Sequence, residues 1–364
     1  MTSPLYVDIS VLRVRRPTGI ARFTARLLEA LSQRRPLRLF SLSDRGDPAL
    51  APWREIAVDA PLPAADEDVR HWLRALLRRQ WRPAQAAEAR RHACLYTMER
   101  PARRLFAREV NLLYDFTPLL LPDCHVPGVR RGLGHFFATA LPLSDGVVAI
   151  SESTRHDARW LCDLAPDAIV TAYPGPSLCD RRHASTRAVA REPGRVLVVA
   201  TREPRKNAAL VVDWFLHSPH LPDDAELWWV GPRGWLWRAP AESRRGRRRC
   251  RFLGQVSDRE LCERYRRAES TVYASLYEGF GFPVLDALAH GTPVLTSFNS
   301  SLKEFSGPGV FHCDPCERGS LDAAYARLRA AAPVAIDGVA LRASYSWQAM
   351  ADAVSALADA EAAP

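Results

Sequence analysis

The stretch SLYEGFGFPVLDALAHGTPVLT, residues Ser275–Thr296, decides the fold of this 364-residue chain. An apolar run ends near Ser275 and two glycines follow in quick succession. A helical pattern then begins near Pro283 and stops before Gly291. Proline just inside a helix start and glycine just past its end are the usual asymmetry. The order of strand, glycine-rich turn and helix predicts one repeating unit of a parallel sheet covered by helices.

The turn Gly279–Gly281 has the properties of an anion site. Glycine permits positive φ and a close approach of the backbone to a ligand. A helix start presents unpaired N–H groups and a positive dipole end. Two carboxylates flank the turn, Glu278 before it and Asp286 within the helix. Because carboxylate oxygens accept strong hydrogen bonds, they suit the hydroxyls of a sugar and a ribose. The simpler alternative is that both acidic residues only complement the helix dipole.

A second stretch, RVLVVATREPRKN at Arg195–Asn207, predicts another strand followed by a turn and a helix. Its turn carries Arg205 and Lys206, with Arg202 as a further cation. Lys206 and Lys303 are the only lysines in a chain that otherwise uses arginine. A lysine in this turn therefore indicates a place where a compact point charge is required. The alternative is an ordinary pair of charges at a helix start.

Short apolar or β-branched runs alternate with helical patterns along the whole chain, which predicts parallel sheets covered on both faces. Because a single core stops growing at roughly 250–300 residues, two sets of strands predict two doubly wound α/β domains. With a boundary at the proline- and glycine-rich Tyr173–Ser177, we predict domains at residues 1–175 and 176–345. A last helix in 346–364 is expected to pack back on the first domain. The predicted strands are Leu5–Ile9, Leu37–Leu42, Ala93–Tyr96, Val110–Tyr114, Gly146–Ile150, Ala168–Tyr173, Val196–Ala200, Leu227–Gly231, Phe252–Gly254, Thr271–Ser275, Val294–Ser297 and Val310–His312.

Composition narrows the classes of protein to consider. No run reaches the roughly 18 apolar residues of a spanning helix, so we predict a cytoplasmic protein. The eight cysteines are expected to be free thiols, because Cys313–Cys316 is the only CxxC and has no second pair for a zinc site. The formal charge of +9 favours an anionic partner, namely a nucleotide diphosphate, a lipid phosphate or an anionic membrane. Nucleic acid is the competing interpretation, but we expect none, because no nucleic-acid-binding module is recognisable.

The segment Asp68–Arg82 predicts an amphipathic helix, because its apolar residues form one stripe and arginines occupy most other positions. A basic helix that carries Trp72 can lie on an anionic membrane, which would place the protein peripherally at the inner face of the membrane. A helix packed on the core with a solvated basic face fits the same pattern, and both interpretations stay open. The acidic residues Asp66–Asp68 are interpreted as helix caps rather than as a metal site.

The segment Glu278–Val294 resembles the E-x7-E signature of glycosyltransferase family 4, with Asp286 where the second glutamate is usual. Arg195–Asn207 is similar to the V-G-T-x-E-P-R-K-N element of that family. Looser resemblances to the family occur at five further places. In chain order they are the turn after the first strand, the H-D-L-x-P element with Tyr114 in place of histidine, and the end of the first domain. The last two are the strand before the donor helix and a loop that contacts the nucleotide. These segments are Thr18–Phe23, Leu113–Pro118, Ile150–Arg155, Phe252–Asp258 and Ser300–Glu304.

This resemblance implies a GT-B fold, in which two doubly wound Rossmann-like domains face a central cleft. It implies a retaining transferase that moves a hexose from a nucleotide diphosphate to a saccharide or lipid-linked acceptor in surface-polysaccharide or glycan assembly. The E-P-R-K-N form favours GDP-mannose, with UDP- or dTDP-hexoses as alternatives. No metal or other cofactor is expected, because protein cations supply the positive charge. The departures at Asp286 and Tyr114 keep a non-catalytic subunit open, and a sugar phosphorylase or epimerase on the same scaffold is a further alternative.

The resemblance also implies roles for individual residues. Glu278 approaches the donor sugar, and Arg205 and Lys206 hold the diphosphate. Asp115 is the candidate group for acceptor activation. The implied donor-binding residues are Gly279, Phe280, Gly281, Phe282, Asp286, Gly19, Ser301, Leu302 and Glu304.

Overall fold

The structure is a computed structural model that describes residues 3–13, 19–42, 54–59, 61–62, 74, 76, 78–79, 82–83, 86–178, 190–237, 243–331 and 333–360. The chain divides into two units, each built on one mainly parallel sheet. The first unit takes in Met1–Phe116, Arg131–Ser177 and Tyr345–Pro364. The second unit takes in Thr117–Arg130 and Leu178–Ser344.

Eight strands form the sheet of the first unit: β1 Leu5–Asp8, β2 Leu37–Ser41, β3 Arg54–Val58, β4 Arg82–Pro83, β5 Ala93–Tyr96, β6 Arg108–Leu113, β7 Gly146–Ala149 and β8 Ile169–Thr171. Their order is β4-β3-β2-β1-β5-β6-β7-β8. β1 pairs in parallel with β2 on one side and β5 on the other, and parallel pairing continues to β8. β3 and β4 pair antiparallel at one edge. The centre of this sheet is fully buried, as expected for strands covered on both faces.

Seven strands form the sheet of the second unit: β9 Glu192–Val199, β10 Glu226–Val230, β11 Arg244–Arg245, β12 Arg248–Gly254, β13 Ala268–Tyr273, β14 Val294–Ser297 and β15 Val310–Cys313. Their order is β11-β12-β10-β9-β13-β14-β15, and all pairs but β11–β12 are parallel. From β9 the sheet grows towards β10, and from β13 it grows the other way towards β14. The carboxyl ends of β9 and β13 therefore form a topological switch point, where open α/β sheets bind ligands.

Helices connect these strands in both units: α1 Gly19–Ser32, α2 Ala86–Ala89, α3 Thr117–Leu120, α4 Pro127–His135, α5 Glu152–Cys162, α6 Ala208–His217, α7 Asp258–Arg267, α8 Phe282–Ala289, α9 Arg318–Ala331, α10 Gly338–Ser344 and α11 Trp347–Asp359. α11 begins after Ser346, whose hydroxyl accepts a hydrogen bond from the Ala349 N–H. It packs against α1, where the Trp347 ring meets Phe23 edge to face. None of the helices in the described ranges combines the length and apolar character that crossing a bilayer requires.

The two doubly wound sheets confirm the α/β prediction, and each of the twelve expected strands is present with ends shifted by a few residues. β3, β4 and β11 were not predicted, and their antiparallel pairing corrects the expectation of purely parallel sheets. β4 and β11 have two residues each, too few to carry a period, and Glu55 interrupts the apolar pattern of β3.

Two segments named from the sequence fall largely outside the described residues. Most of Asp68–Arg82 and all of Asp66–Asp68 lie there. Arg82 is described, and it lies in β4 rather than at the end of a helix. None of the cysteines in the described residues forms a disulfide.

Candidate functional site

The candidate site lies at the carboxyl ends of β9 and β13, which are neighbours in the second sheet. Two hydrogen bonds tie together the loops that follow these strands. The Leu276 N–H donates to the Arg205 carbonyl at 2.9 Å, and the Asn207 side-chain amide donates to the Ala274 carbonyl at 3.1 Å. The two stretches singled out in the sequence are therefore joined at the switch point of the sheet.

The glycine-rich turn is shaped by a residue that must be glycine. Gly281 is the N-cap residue of α8 and has a φ of 120°, which side-chain-bearing residues rarely adopt. A Cβ atom there would lie 2.7 Å from Cδ2 of Leu302 and 3.2 Å from the Phe305 ring. Pro283 occupies the first turn of α8, where its missing N–H costs no helical hydrogen bond. The turn therefore leads directly into the helix start that the sequence predicted as an anion site.

Glu278 is held by both cations of the neighbouring loop. Its Oε1 accepts a hydrogen bond from Nζ of Lys206 at 2.6 Å, and its Oε2 accepts one from the Arg205 guanidinium at 2.6 Å. Burial favours the neutral form of this carboxyl, which is only 6% exposed. The charges of Arg205 and Lys206 outweigh burial and lower the pKa of Glu278 from 4.5 to about 2. Glu278 is therefore an anion at neutral pH.

Lys206 is packed against an aromatic ring as well as a carboxylate. Its Nζ donates to the Tyr273 hydroxyl at 2.9 Å and lies 5.2 Å from the centroid of that ring. Burial and the charge of Arg205 lower the pKa of Lys206, whereas the carboxylates of Glu278 and Glu203 oppose this shift. The position thus holds a compact cation in a nearly dry environment, where electrostatic interactions are strong.

Arg205 links two carboxylates. One of its terminal nitrogens donates to Glu278 and to the Tyr277 carbonyl at 2.9 Å, and the other donates to Oε1 of Glu203 at 3.0 Å. Burial raises the pKa of Glu203, although Lys206 and Arg205 act against this shift. The two cations and two carboxylates form one buried network, so an added anion would meet cations that are already in place.

Three polar residues of this network were not among the predicted site residues. Glu203 precedes the cation pair, and Ser300, whose hydroxyl accepts from the Glu278 N–H at 3.0 Å, begins a segment quoted from the sequence. Their nearness to the motifs was the available signal. Tyr273 gave no signal, because a tyrosine in a buried strand is usually a core residue.

Ser301 and Leu302 contact the glycine-rich turn. The Ser301 hydroxyl lies 2.6 Å from the Phe280 carbonyl and 3.0 Å from the Glu278 carbonyl, both within hydrogen-bonding distance. Leu302 is fully buried and faces Gly281. Both residues are therefore at the turn, as are Gly279 and Phe282 by position. Their contact with a donor stays a prediction, as does that of the half-buried Glu304.

Asp286 lies within α8 and is 4% exposed. Its Oδ1 accepts a hydrogen bond from the Leu178 N–H at 3.3 Å. This carboxylate, one methylene shorter than glutamate, thus contacts the backbone that enters the second unit. Its predicted contact with a ribose is not tested by this bond.

Two of the predicted site residues belong to the first unit. Gly19 is the first residue of α1, and Asp115 follows the end of β6. Next to it, the Tyr114 hydroxyl donates to the Thr97 carbonyl at 2.9 Å, and burial raises the pKa of this tyrosine. The side chain at the histidine position of the family motif is therefore a half-buried, anchored phenol rather than an acid–base group.

Arg202 does not join the cation pair. Its guanidinium lies 5.5 Å from the Trp237 ring centroid and 5.3 Å from that of Phe252, which are favourable cation–π distances. Within the described ranges, no three His, Cys, Asp or Glu side chains are grouped as metal ligands. The candidate site is therefore a cluster of two cations, two carboxylates and one helix start.

A family model and several known proteins match parts of the chain. Residues 183–330 match the family model for glycosyl transferases group 1. The chain is 29% identical over 233 residues to O-antigen chain mannosyltransferase B of Escherichia coli, a match that covers 59% of this chain and 60% of that protein. It spans 24–25% of the length of other mannosyltransferases that it matches.

Solved structures match the chain over almost its whole length. Sucrose-phosphate synthase from Thermosynechococcus elongatus superposes with a TM-score of 0.64 at 17% identity and covers 98% of each chain. Anabaena Alr3699/HepE in complex with UDP and glucose superposes with a TM-score of 0.61 at 14% identity and covers 96% of this chain and 97% of its own. At such identities the likeness concerns the fold. The chain thus has the GT-B fold, and its residues 183–330 are similar to the group 1 glycosyl transferases.

Proposed function

We propose that the protein is a retaining glycosyltransferase that moves a hexose from a nucleotide diphosphate sugar to a saccharide or lipid-linked acceptor in polysaccharide assembly. Mannose is the favoured sugar, because the relatives named above are mannosyltransferases. The structural neighbour that holds UDP and glucose supports a nucleotide sugar as the donor class. GDP-mannose is the first donor to test.

This proposal rests on one observation: Arg205 and Lys206 both donate hydrogen bonds to the carboxylate of Glu278, beside the start of α8. When the bond between sugar and phosphate breaks, negative charge grows on the diphosphate. Fixed cations and helix N–H groups stabilise such charge without having to reorganise. A diphosphate carries more charge than one carboxylate, so it competes with Glu278 for the two cations. Glu278 can then accept hydrogen bonds from the hydroxyls of the sugar.

The same charges make a metal unnecessary in this proposal. Mg²⁺ would act by neutralising the leaving diphosphate, and Arg205 and Lys206 supply that neutralisation here. Asp115 is proposed to act on the acceptor hydroxyl. A lipid-linked acceptor would keep the protein peripherally at the inner face of the membrane.

Thermal unfolding in the presence of single nucleotide sugars tests the proposal. A donor at 100 times its dissociation constant stabilises the folded chain by about 2.7 kcal/mol. We expect GDP-mannose to raise the melting temperature in the presence of a metal chelator, and UDP-glucose and dTDP-glucose to raise it less. Transfer of labelled mannose to a mannose-containing acceptor then identifies the reaction. If no nucleotide sugar stabilises the chain, the proposed donor site is wrong.

A further inference from the structure

A pocket of about 590 Å³ opens in the second unit beside the loop that carries Arg205. The residues that line it include Asp123, Glu203, Leu236 and Trp237, and all of its lining residues belong to the second unit. The volume is within the range of small-molecule sites. None of the described residues assigned above to the donor is among those that line this pocket.

The pocket has two carboxylates of different character. Glu203 is 3% exposed, and its Oε1 is held by Arg205 at 3.0 Å, so this side chain is fixed in place. Asp123 is exposed and lies in the turn Pro122–Cys124. Carboxylate oxygens accept hydrogen bonds from hydroxyl groups, and two carboxylates that line one pocket can bind a polyol.

Leu236 and Trp237 form the apolar part of the pocket lining. The Trp237 ring packs edge to face on Phe252 at a centroid distance of 5.9 Å and lies over the guanidinium of Arg202. These contacts fix the orientation of the indole. Leu236 is 52% exposed and has a φ of 51°, an unfavourable conformation for a leucine. Backbone strain of this kind persists where the surroundings impose it, often at binding sites.

A hydrogen bond joins two distant segments of the chain that both contribute residues to the pocket. The Trp235 indole N–H donates to the Cys124 carbonyl at 2.7 Å, and the His125 ring lies 6.0 Å from the Trp235 ring. The segment Thr117–Arg130 is therefore anchored on the second unit, and Asp123 is held near the loop of Trp237.

Charge balance favours a neutral ligand in this pocket. The carboxylate of Glu203 is already paired with Arg205, and the Arg202 guanidinium lies over the Trp237 ring. The remaining charges near the pocket, Asp123 and Arg202, have opposite signs, so neither a cation nor an anion is selected. An aromatic ring and hydrogen-bonding carboxylates in the same pocket suit a sugar ring, which presents apolar C–H groups on its face and hydroxyls at its edge.

We propose that this pocket binds one sugar residue of the acceptor glycan, an inference that rests on the proposed function. Glu203 and Glu278 accept hydrogen bonds from the two terminal nitrogens of the same Arg205 guanidinium. The pocket is thus one side chain away from the proposed donor site. A glycan whose end meets the donor sugar has its neighbouring residues within reach of such a pocket.

Nuclear magnetic resonance of the full chain with ¹⁵N-labelled tryptophan tests this proposal, with mannotriose as the probe. We expect mannotriose to shift the indole signal of Trp237, which is identified by its loss in Trp237→Phe. The Trp237→Ala and Asp123→Asn variants should bind mannotriose about tenfold more weakly, a change that corresponds to about 1.4 kcal/mol. The matched control is Trp160→Ala, because Trp160 is 79% exposed in the first unit and should leave binding unchanged.

A parallel titration with GDP separates this proposal from the proposed function. Both proposals are supported if GDP binds the wild type and the two pocket variants equally while the two variants lose mannotriose binding. Mannotriose binding without any binding of GDP or GDP-mannose leaves the pocket assignment standing and removes the donor site. The pocket assignment is wrong if mannotriose leaves Trp237 unshifted, if Asp123→Asn binds like wild type, or if only GDP or the diamine putrescine shifts Trp237. Asp123→Asn decides the matter where Trp237→Ala does not fold.

Discussion

The ammonium nitrogen of Lys206 lies 2.6 Å from Oε1 of Glu278, although the two residues are 72 positions apart in sequence. They meet because β9 and β13 are neighbouring parallel strands. The loops that follow these two strands therefore leave the sheet at the same end. The side chains of Lys206 and Glu278 are 10% and 8% exposed, so each charge depends on the other for its stability. Removing one partner of a buried pair leaves the other uncompensated, which makes single substitutions informative.

We expect Lys206→Ala to lower turnover by about 10²–10³, the usual effect of losing one charge-stabilising donor. Arg205 still pairs with Glu278 in this variant, so the carboxylate stays ionised and the turn stays in place. Turnover with labelled donor, measured at saturating donor, reports the effect. Lys206→Arg is the matched control, since it keeps the charge. Near-wild-type transfer by Lys206→Ala would remove Lys206 from the site.

Glu278→Gln should abolish transfer while nucleotide binding is retained. The amide has nearly the shape of the carboxylate but no charge, so Arg205 and Lys206 stay available to a diphosphate. Isothermal titration with GDP alongside a transfer assay separates the two effects. A variant that loses affinity for GDP but keeps turnover at saturating donor contradicts the sugar-facing role of Glu278.

The pH dependence of stability should reveal the same carboxylate. The pKa of Glu278 is about 2 in the folded chain, below the ordinary value of 4.5. A depressed carboxyl pKa stabilises the fold above the unfolded value and loses that effect as pH falls towards the folded value. The wild type should therefore exceed Glu278→Gln in free energy of unfolding above pH 5, and the difference should shrink between pH 4.5 and 3. Urea denaturation across this range measures it, and a difference that does not change with pH contradicts the shift.

Much of the fold could be predicted from the sequence because its central strands are buried on both faces. Runs such as Val196–Ala200 and Gly146–Ile150 have no polar side chain, and a parallel α/β sheet is the usual structure for such runs. Edge strands cannot be predicted in this way, because they lack a continuous apolar run. Arg244–Arg245 is exposed, polar and two residues long, so nothing in its composition separates it from a turn.

The sequence predicted which loops form the site. It did not predict the contacts between their side chains. Because carboxyl ends of adjacent parallel strands meet, two motifs at strand ends could be brought together by reasoning alone. The pairing of Arg205 with both Glu203 and Glu278 depends on how β9 and β13 align, which no sequence pattern encodes. Likewise, no composition change marks Thr117–Arg130 as part of the second unit.

The last prediction concerns the glycine at the start of α8. Gly281→Ala should destabilise the chain by about 1–3 kcal/mol, because alanine resists a φ of 120° and its Cβ would lie 2.7 Å from Leu302. Gly19→Ala is the matched control, since Gly19 has no heavy atom within 4 Å of an added Cβ and should change stability little. Adding Leu302→Ala to Gly281→Ala relieves the clash but not the backbone strain, so it should not restore stability. Urea midpoints of the four proteins measure these effects. Wild-type stability in Gly281→Ala would mean that the turn is not held in the conformation that leads into the anion site.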